Sequence, residues 1–116
     1  REAFMALGYH FPEYFNQMQR AVHETAKSKG FWDEPRNDGE ALALIHSEIS
    51  EALEALRHSN PFDEKCPDFL NVEVELADAI IRIMDLAGAR GWNVAGAIVA
   101  KAAFNQTRPH KHGKQF

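Results

Sequence analysis

Cysteine is almost missing from this 116-residue chain, with Cys66 its single instance. An internal disulfide and a zinc-type cysteine cluster are thereby excluded, and a reducing, cytoplasmic compartment is expected. Long uncharged apolar runs are missing as well. Charge breaks every hydrophobic stretch, so neither a signal peptide nor a membrane span is expected. There is no excess of positive charge, because 13 Lys and Arg stand against 17 Asp and Glu, for a formal net charge of −4. That balance argues against a partner that is a nucleic-acid polymer, though not against a small polyanion held through a cation. Strand-like alternation and internal repeats are both lacking. The chain begins at Arg1 rather than methionine, so further native residues are expected upstream.

What is present suits one domain over residues 1–116, with 45% of the residues hydrophobic. A domain this small buries proportionally little of its surface, which favours pairing with another subunit. The first residues, to about 12, are mixed and expected to be irregular. Pro12 then opens a helix that runs to about Lys29 and stops at Gly30, with Phe15, Met18, Val22 and Ala26 as its stripe. "GFWDEPRNDGE" reads as a loop. Asp38 is the expected N-cap of a second helix over 39–57, with Leu42, Ile45, Ile49, Ala52, Leu53 and Leu56 on one side. "HSNPFDEKCPDFLN", with two prolines, reads as a loop or broken turn. A third helix is expected from about Val72 to Ala89. "GARGWN" ends it, and Asn93 caps a fourth helix to about Asn105. A basic tail, 106–116, follows. The fold class expected is all-α, a four-helix bundle.

Carboxylates stand beside the apolar stripes. With residues advancing about 100° each, Glu48 lies on the edge of the second helix's stripe and Glu51 about 60° further out. The third helix is apolar almost all round, which predicts that it is largely buried. Its narrow polar seam holds Glu75, Asp78, Arg82 and Asp85. The i,i+3 spacing puts Glu48 with Glu51 on one face and Glu75 with Asp78 on another. Two such helices packed together converge four like charges, which repel. Mg²⁺, with Mn²⁺ as a substitute, is the natural remedy, and it leaves positions open for substrate phosphates. The plainer alternatives are solvated surface for each pair, and a structural seam in which Arg82 neutralises Asp78 or Asp85. A carboxylate di-iron bundle is disfavoured, because no Glu has a His three positions later. His46 falls on the apolar side, where packing is the expected role, and Trp92 is expected to pack at the start of the fourth helix.

In this order the residues resemble the MazG-like all-alpha nucleoside triphosphate pyrophosphohydrolases, from about Tyr14 to Phe116. Glu48 and Glu51 stand at the family's first acid motif, Glu75 and Asp78 at its second, and Lys101, Asn105 and Arg108 at its last. "FNQTRPHKHGKQF" is similar to the closing stretch of small stand-alone members. Many relatives carry an extra acid beside the first motif acid, where this chain has Ser47 and Ile49 around Glu48. The resemblance implies a helical homodimer or homotetramer. It also implies Mg²⁺-dependent hydrolysis of a nucleoside triphosphate between its α and β phosphates, in a sanitising role or in control of nucleotide pools.

On that reading Glu48, Glu51, Glu75 and Asp78 hold the metal, and Glu48 or Glu51 orients or deprotonates the water, with Glu51 preferred. Lys101 would neutralise phosphate charge. Asn105 and Arg108 would bind the substrate, with Lys111 and Lys114 assisting from the tail. Trp32, ahead of Phe31, is the candidate for stacking on a base, against a packing role for each. Arg82 and Asp85 would hold the acidic seam in place. Two other functions compete. One is phosphoribosyl-ATP pyrophosphohydrolase activity, and the other is a non-catalytic helical dimer that binds nucleotide or a partner protein.

Overall fold

The computed structural model describes residues 10–116, in which four α-helices carry the fold. They are α1 (Phe11–Ser28), α2 (Asp38–Arg57), α3 (Asn71–Arg90) and α4 (Val94–Gln106), followed by a 3-10 turn at His110–Gly113. Among the described residues the one β-type pairing is an isolated bridge between Phe62 and Leu70. No helix there is long and apolar enough to cross a membrane. The irregular start expected for residues 1–12 falls mostly outside the described residues, and Phe11 and Pro12 are already helical.

The helix ends follow from local chemistry. Pro12 occupies the first turn of α1, where its missing N–H costs nothing. Gly30, at φ 87°, turns the chain out of α1, and the Phe31 N–H donates back to the Ala26 carbonyl at 3.1 Å. The cap of α2 is Asn37 rather than Asp38. Its side-chain oxygen accepts from the Glu40 N–H at 3.1 Å, while Asp38 is the first helical residue and serves a different partner. Asn93 caps α4 as expected, accepting from the Gly96 N–H at 3.0 Å.

α3 is capped from outside itself. Ser59 and Asn60 adopt left-handed backbone, at φ 71° and 46°, and swing the chain away from α2. Asn60 then accepts from the Val72 N–H at 2.9 Å, satisfying one of the orphan donors at the start of α3.

α3 is the central element, packed against α2 on one side and α1 on the other, while α4 rests on α1. Gly88 marks the closest approach of α1, since a Cβ there would sit 3.2 Å from the His23 Cβ and 3.4 Å from the Gln19 Cγ.

The core is built from small side chains. Ala41, Ala52, Ala55, Ala79, Ala87 and Ala95 are buried, joined by Met84 and Leu86, and among the described residues no large side chain is fully enclosed. The inward face of α2 is Ala41, Ile45, Glu48, Ala52 and Ala55, at steps of three and four residues. This corrects the expected single stripe, because Leu42, Ile49, Leu53 and Leu56 lie on a second apolar face turned outward. His46 is likewise exposed rather than packed. α3 is only partly buried, with Leu76, Ile80 and Ile81 all facing out, and Trp92 is 47% exposed at the start of α4. α2 has two apolar faces and a neighbour on one of them, whereas α3 has two neighbours and is apolar over more of its circumference than they cover.

Candidate metal and phosphate site

The rotation of α2 that buries its alanines also turns Glu48 inward, toward α3. From α3, Glu75 and Asp78 point back, three residues apart on one face. One carboxylate oxygen from each of Glu48, Glu75 and Asp78 lies within 4.8 Å of the other two. All three residues are half-buried. Burial, a hydrogen bond to Glu48, and the charges of Asp78, Glu48 and Glu51 raise the Glu75 pKa above its ordinary value. Burial and the Glu48 charge raise Asp78 too, against the opposing pull of Arg82 and Lys65. Both shifts record crowded negative charge held away from water. An all-oxygen donor set that repels itself is the chemistry that hard divalent cations relieve.

Glu51 stands apart from this trio. It is exposed, one helical turn further along α2, and acts on Glu75 through its charge. Arg82 reaches across from α3, and its Nε donates to Glu48 Oε1 at 2.8 Å. Its partner is thus Glu48 on the neighbouring helix, in place of the expected Asp78 or Asp85 on its own.

Two cavities meet at the acids. The first, of about 330 Å³, runs from Glu48, Asp78 and Arg82 to Phe31 and Arg36, past Val22, Ala26 and Ile81. The second, of about 430 Å³, lies between the 61–65 loop and α3, and Glu75 and Asp78 form its floor. Asp63 braces that loop by accepting from the Lys65 and Cys66 N–H groups at 2.9 and 2.8 Å.

Asp85 serves the far end of the first cavity instead of bracing the acids. It is buried, and its Oδ1 lies 2.8 Å from His23 Nδ1 and accepts from Trp32 Nε1 at 2.8 Å. Its Oδ2 accepts from Arg36 Nη1 at 3.5 Å. The indole of Trp32 is engaged further, with Arg36 Cζ 4.8 Å and Arg90 Cζ 5.6 Å from its ring centre. Arg90 also bonds Asp38 Oδ1 at 2.8 Å and the Arg36 carbonyl at 2.9 Å. Trp32 is therefore tied into the 29–37 loop, and Phe31, 63% exposed, is the aromatic side chain that lines the cavity.

The basic candidates gather elsewhere. Lys101 Nζ lies 4.8 Å from the Phe104 ring centre, and Arg108 Cζ lies 5.7 Å from it. Local desolvation and the charges of Arg108, Lys114 and Lys101 lower the His112 pKa, which places the four groups in one patch at the end of α4. Lys111 is exposed in the turn beyond, and the Asn105 Oδ1 is buried with no hydrogen-bond partner among the described residues. None of Lys101, Asn105, Arg108, Lys111 or Lys114 lines either cavity beside the acids.

Sequence periodicity anticipates Glu48, Glu51, Glu75 and Asp78 as a group, of which the structure gathers Glu48, Glu75 and Asp78. It misses Asn60, Arg36 and the role of Asp85, because their partners lie 12, 49 and 53 residues away in the chain and leave no local pattern. Compared with known proteins, the chain matches no family model, no curated protein and no solved structure.

Proposed function

We propose that this chain is a divalent-metal-dependent hydrolase of nucleoside triphosphates that releases the nucleoside monophosphate and pyrophosphate. The observation that carries the reading is the convergence of Glu48, Glu75 and Asp78 from two helices, beside a cavity that Glu48 and Asp78 line together with Val22, Ala26, Ile81 and Phe31. A Mg²⁺ or Mn²⁺ ion on those oxygens would polarise phosphoryl oxygens and lower the pKa of a bound water. The acids supply the negative charge that retains such an ion. Glu51, exposed one helical turn away, would orient the attacking water or take its proton. The apolar walls of the first cavity, with Phe31, suit a nucleoside in preference to bare phosphate. The resemblance to MazG-like enzymes points the same way and supplies the choice of the α–β bond.

A second copy of the chain is part of the proposal. The outward face of α2 leaves Leu53 50% and Leu56 56% exposed, and Ile80 on α3 is 49% exposed. Large apolar side chains left bare on one helix face suit an interaction site.

A nucleotide-binding module without catalysis is the second reading. It is favoured by one observation, the separation of the Lys101, Arg108 and Lys114 patch from the acids within one chain. A panel of ribo- and deoxynucleoside triphosphates, with phosphoribosyl-ATP included, separates these readings. Pyrophosphate release with Mg²⁺, lost in folded Glu75→Gln and Asp78→Ala variants, is the expected result. Intact substrate across the whole panel would refute catalysis.

A further inference from the structure

We propose that Arg82 is an exchangeable counter-charge: it neutralises Glu48 while the acids hold no cation, and turns to a substrate phosphate once a divalent ion takes Glu48. The proposal rests on the metal-and-phosphate reading above and assigns Arg82 a substrate contact within it.

The geometry sets up the exchange. Glu48 belongs at once to the three-acid cluster and to an ion pair with Arg82. The acid is the fixed partner, its side chain 14% exposed, whereas that of Arg82 is 39% exposed. Only the Nε of the guanidinium is committed. Among the described residues, Glu48 is the one side chain that pairs with the guanidinium, and its terminal nitrogens make no hydrogen bond. A guanidinium carries five N–H donors in a planar fork, so most of its hydrogen-bonding capacity is unused. Arg82 also lines the first cavity together with Glu48 and Asp78, so those donors border the space a phosphate chain would enter. A planar fork suits phosphate oxygens as well as it suits a carboxylate.

Electrostatics makes the two occupants of Glu48 rivals. A divalent ion and a guanidinium on one carboxylate repel each other unless an anion lies between them. A phosphate group bridging metal and arginine is such an anion. Arg82 therefore weakens the binding of metal alone and strengthens the binding of metal with a phosphate chain. By linkage, each ligand then improves the site for the other. The cluster is in this way biased against a bare ion and toward a metal complexed with phosphate.

The test measures Mn²⁺ binding by electron paramagnetic resonance or calorimetry, alone and with inorganic tripolyphosphate, in wild type, Arg82→Gln and Arg82→Lys. The Gln variant is expected to bind Mn²⁺ alone about tenfold more tightly, and tripolyphosphate in the presence of Mn²⁺ about tenfold more weakly, so that the coupling shrinks. The Lys variant, which keeps a charge, is expected to stay near wild type for Mn²⁺ alone. Circular dichroism confirms that each variant is folded. A merely structural arginine would lower both affinities in Arg82→Gln. That outcome, or an unchanged affinity for Mn²⁺ alone, overturns the proposal while leaving the metal site standing. Absence of Mn²⁺ binding to the wild type, with and without tripolyphosphate, overturns the metal reading and this proposal with it.

Discussion

Glu75 carries the sharpest consequence at the scale of a residue. Its pKa and that of Asp78 are raised in the folded chain, so the folded state holds protons that the unfolded state has already released. The stability of these groups is thus complete below their ordinary values of 4.5 and 3.8, and is lost as pH rises through the raised ones. In the presence of a chelator, the melting temperature should therefore fall as pH climbs out of the acid range toward neutrality. Glu75→Gln should flatten that fall, because one of the crowded charges is gone. Mg²⁺ added at neutral pH should restore the wild type more than the variant. Thermal melts at several pH values, with chelator and with Mg²⁺, check all three, and an identical pH profile in the variant would discard the crowding account.

Helices and loops carry a different lesson. The expected helices at Pro12–Lys29, 39–57, Val72–Ala89 and up to Asn105 each end within one or two residues of those observed. Pro, Gly and Asn act locally, so a single sequence displays them. The rotation of each helix about its axis was less legible. α2 has two apolar faces, one of alanine and one of leucine and isoleucine, and periodicity blends them into one stripe. Close packing favours the small face, since alanines let α2 and α3 approach. Glu48 and Ala52 are turned inward as a result, and Leu53 outward. The two acid pairs were readable because spacing within a helix decides them, whereas which of the four acids meet, and the Trp32–Asp85 bond, depend on packing that spacing does not encode. That bond anchors the 29–37 loop to α3. Asp85→Ala should cost about 3 kcal/mol by stripping partners from His23, Trp32 and Arg36, read by chemical denaturation. Tryptophan fluorescence should report the release of Trp32, and a variant as stable as wild type would remove Asp85 from its anchoring role.

The molecule as a whole leaves a shell of large apolar side chains exposed, Leu53, Leu56, Phe62 and Ile80 among them, around a core of alanines with Met84 and Leu86. A shell of that kind gains its stability by covering those side chains, which is the physical case for the proposed second copy. Leu53→Arg places a charge on the outward face of α2 without touching the acids. It should shift the species seen by light scattering toward monomer and lower the melting temperature by several degrees, as a loss of about 1–2 kcal/mol does in a domain of this size. A wild type that is monomeric at the same concentration would exclude the contact. α3 runs through the middle of this arrangement and bears both Asp78 and Asp85. At about 1.5 Å of rise per residue, the seven steps between them span about 10 Å along a rod that does not stretch. The shaft is in effect a measuring stick. On the proposed reading, a molecule gripped at the acids would touch the aromatic loop only if its own length matched that interval, and the helix would then sort ligands by size.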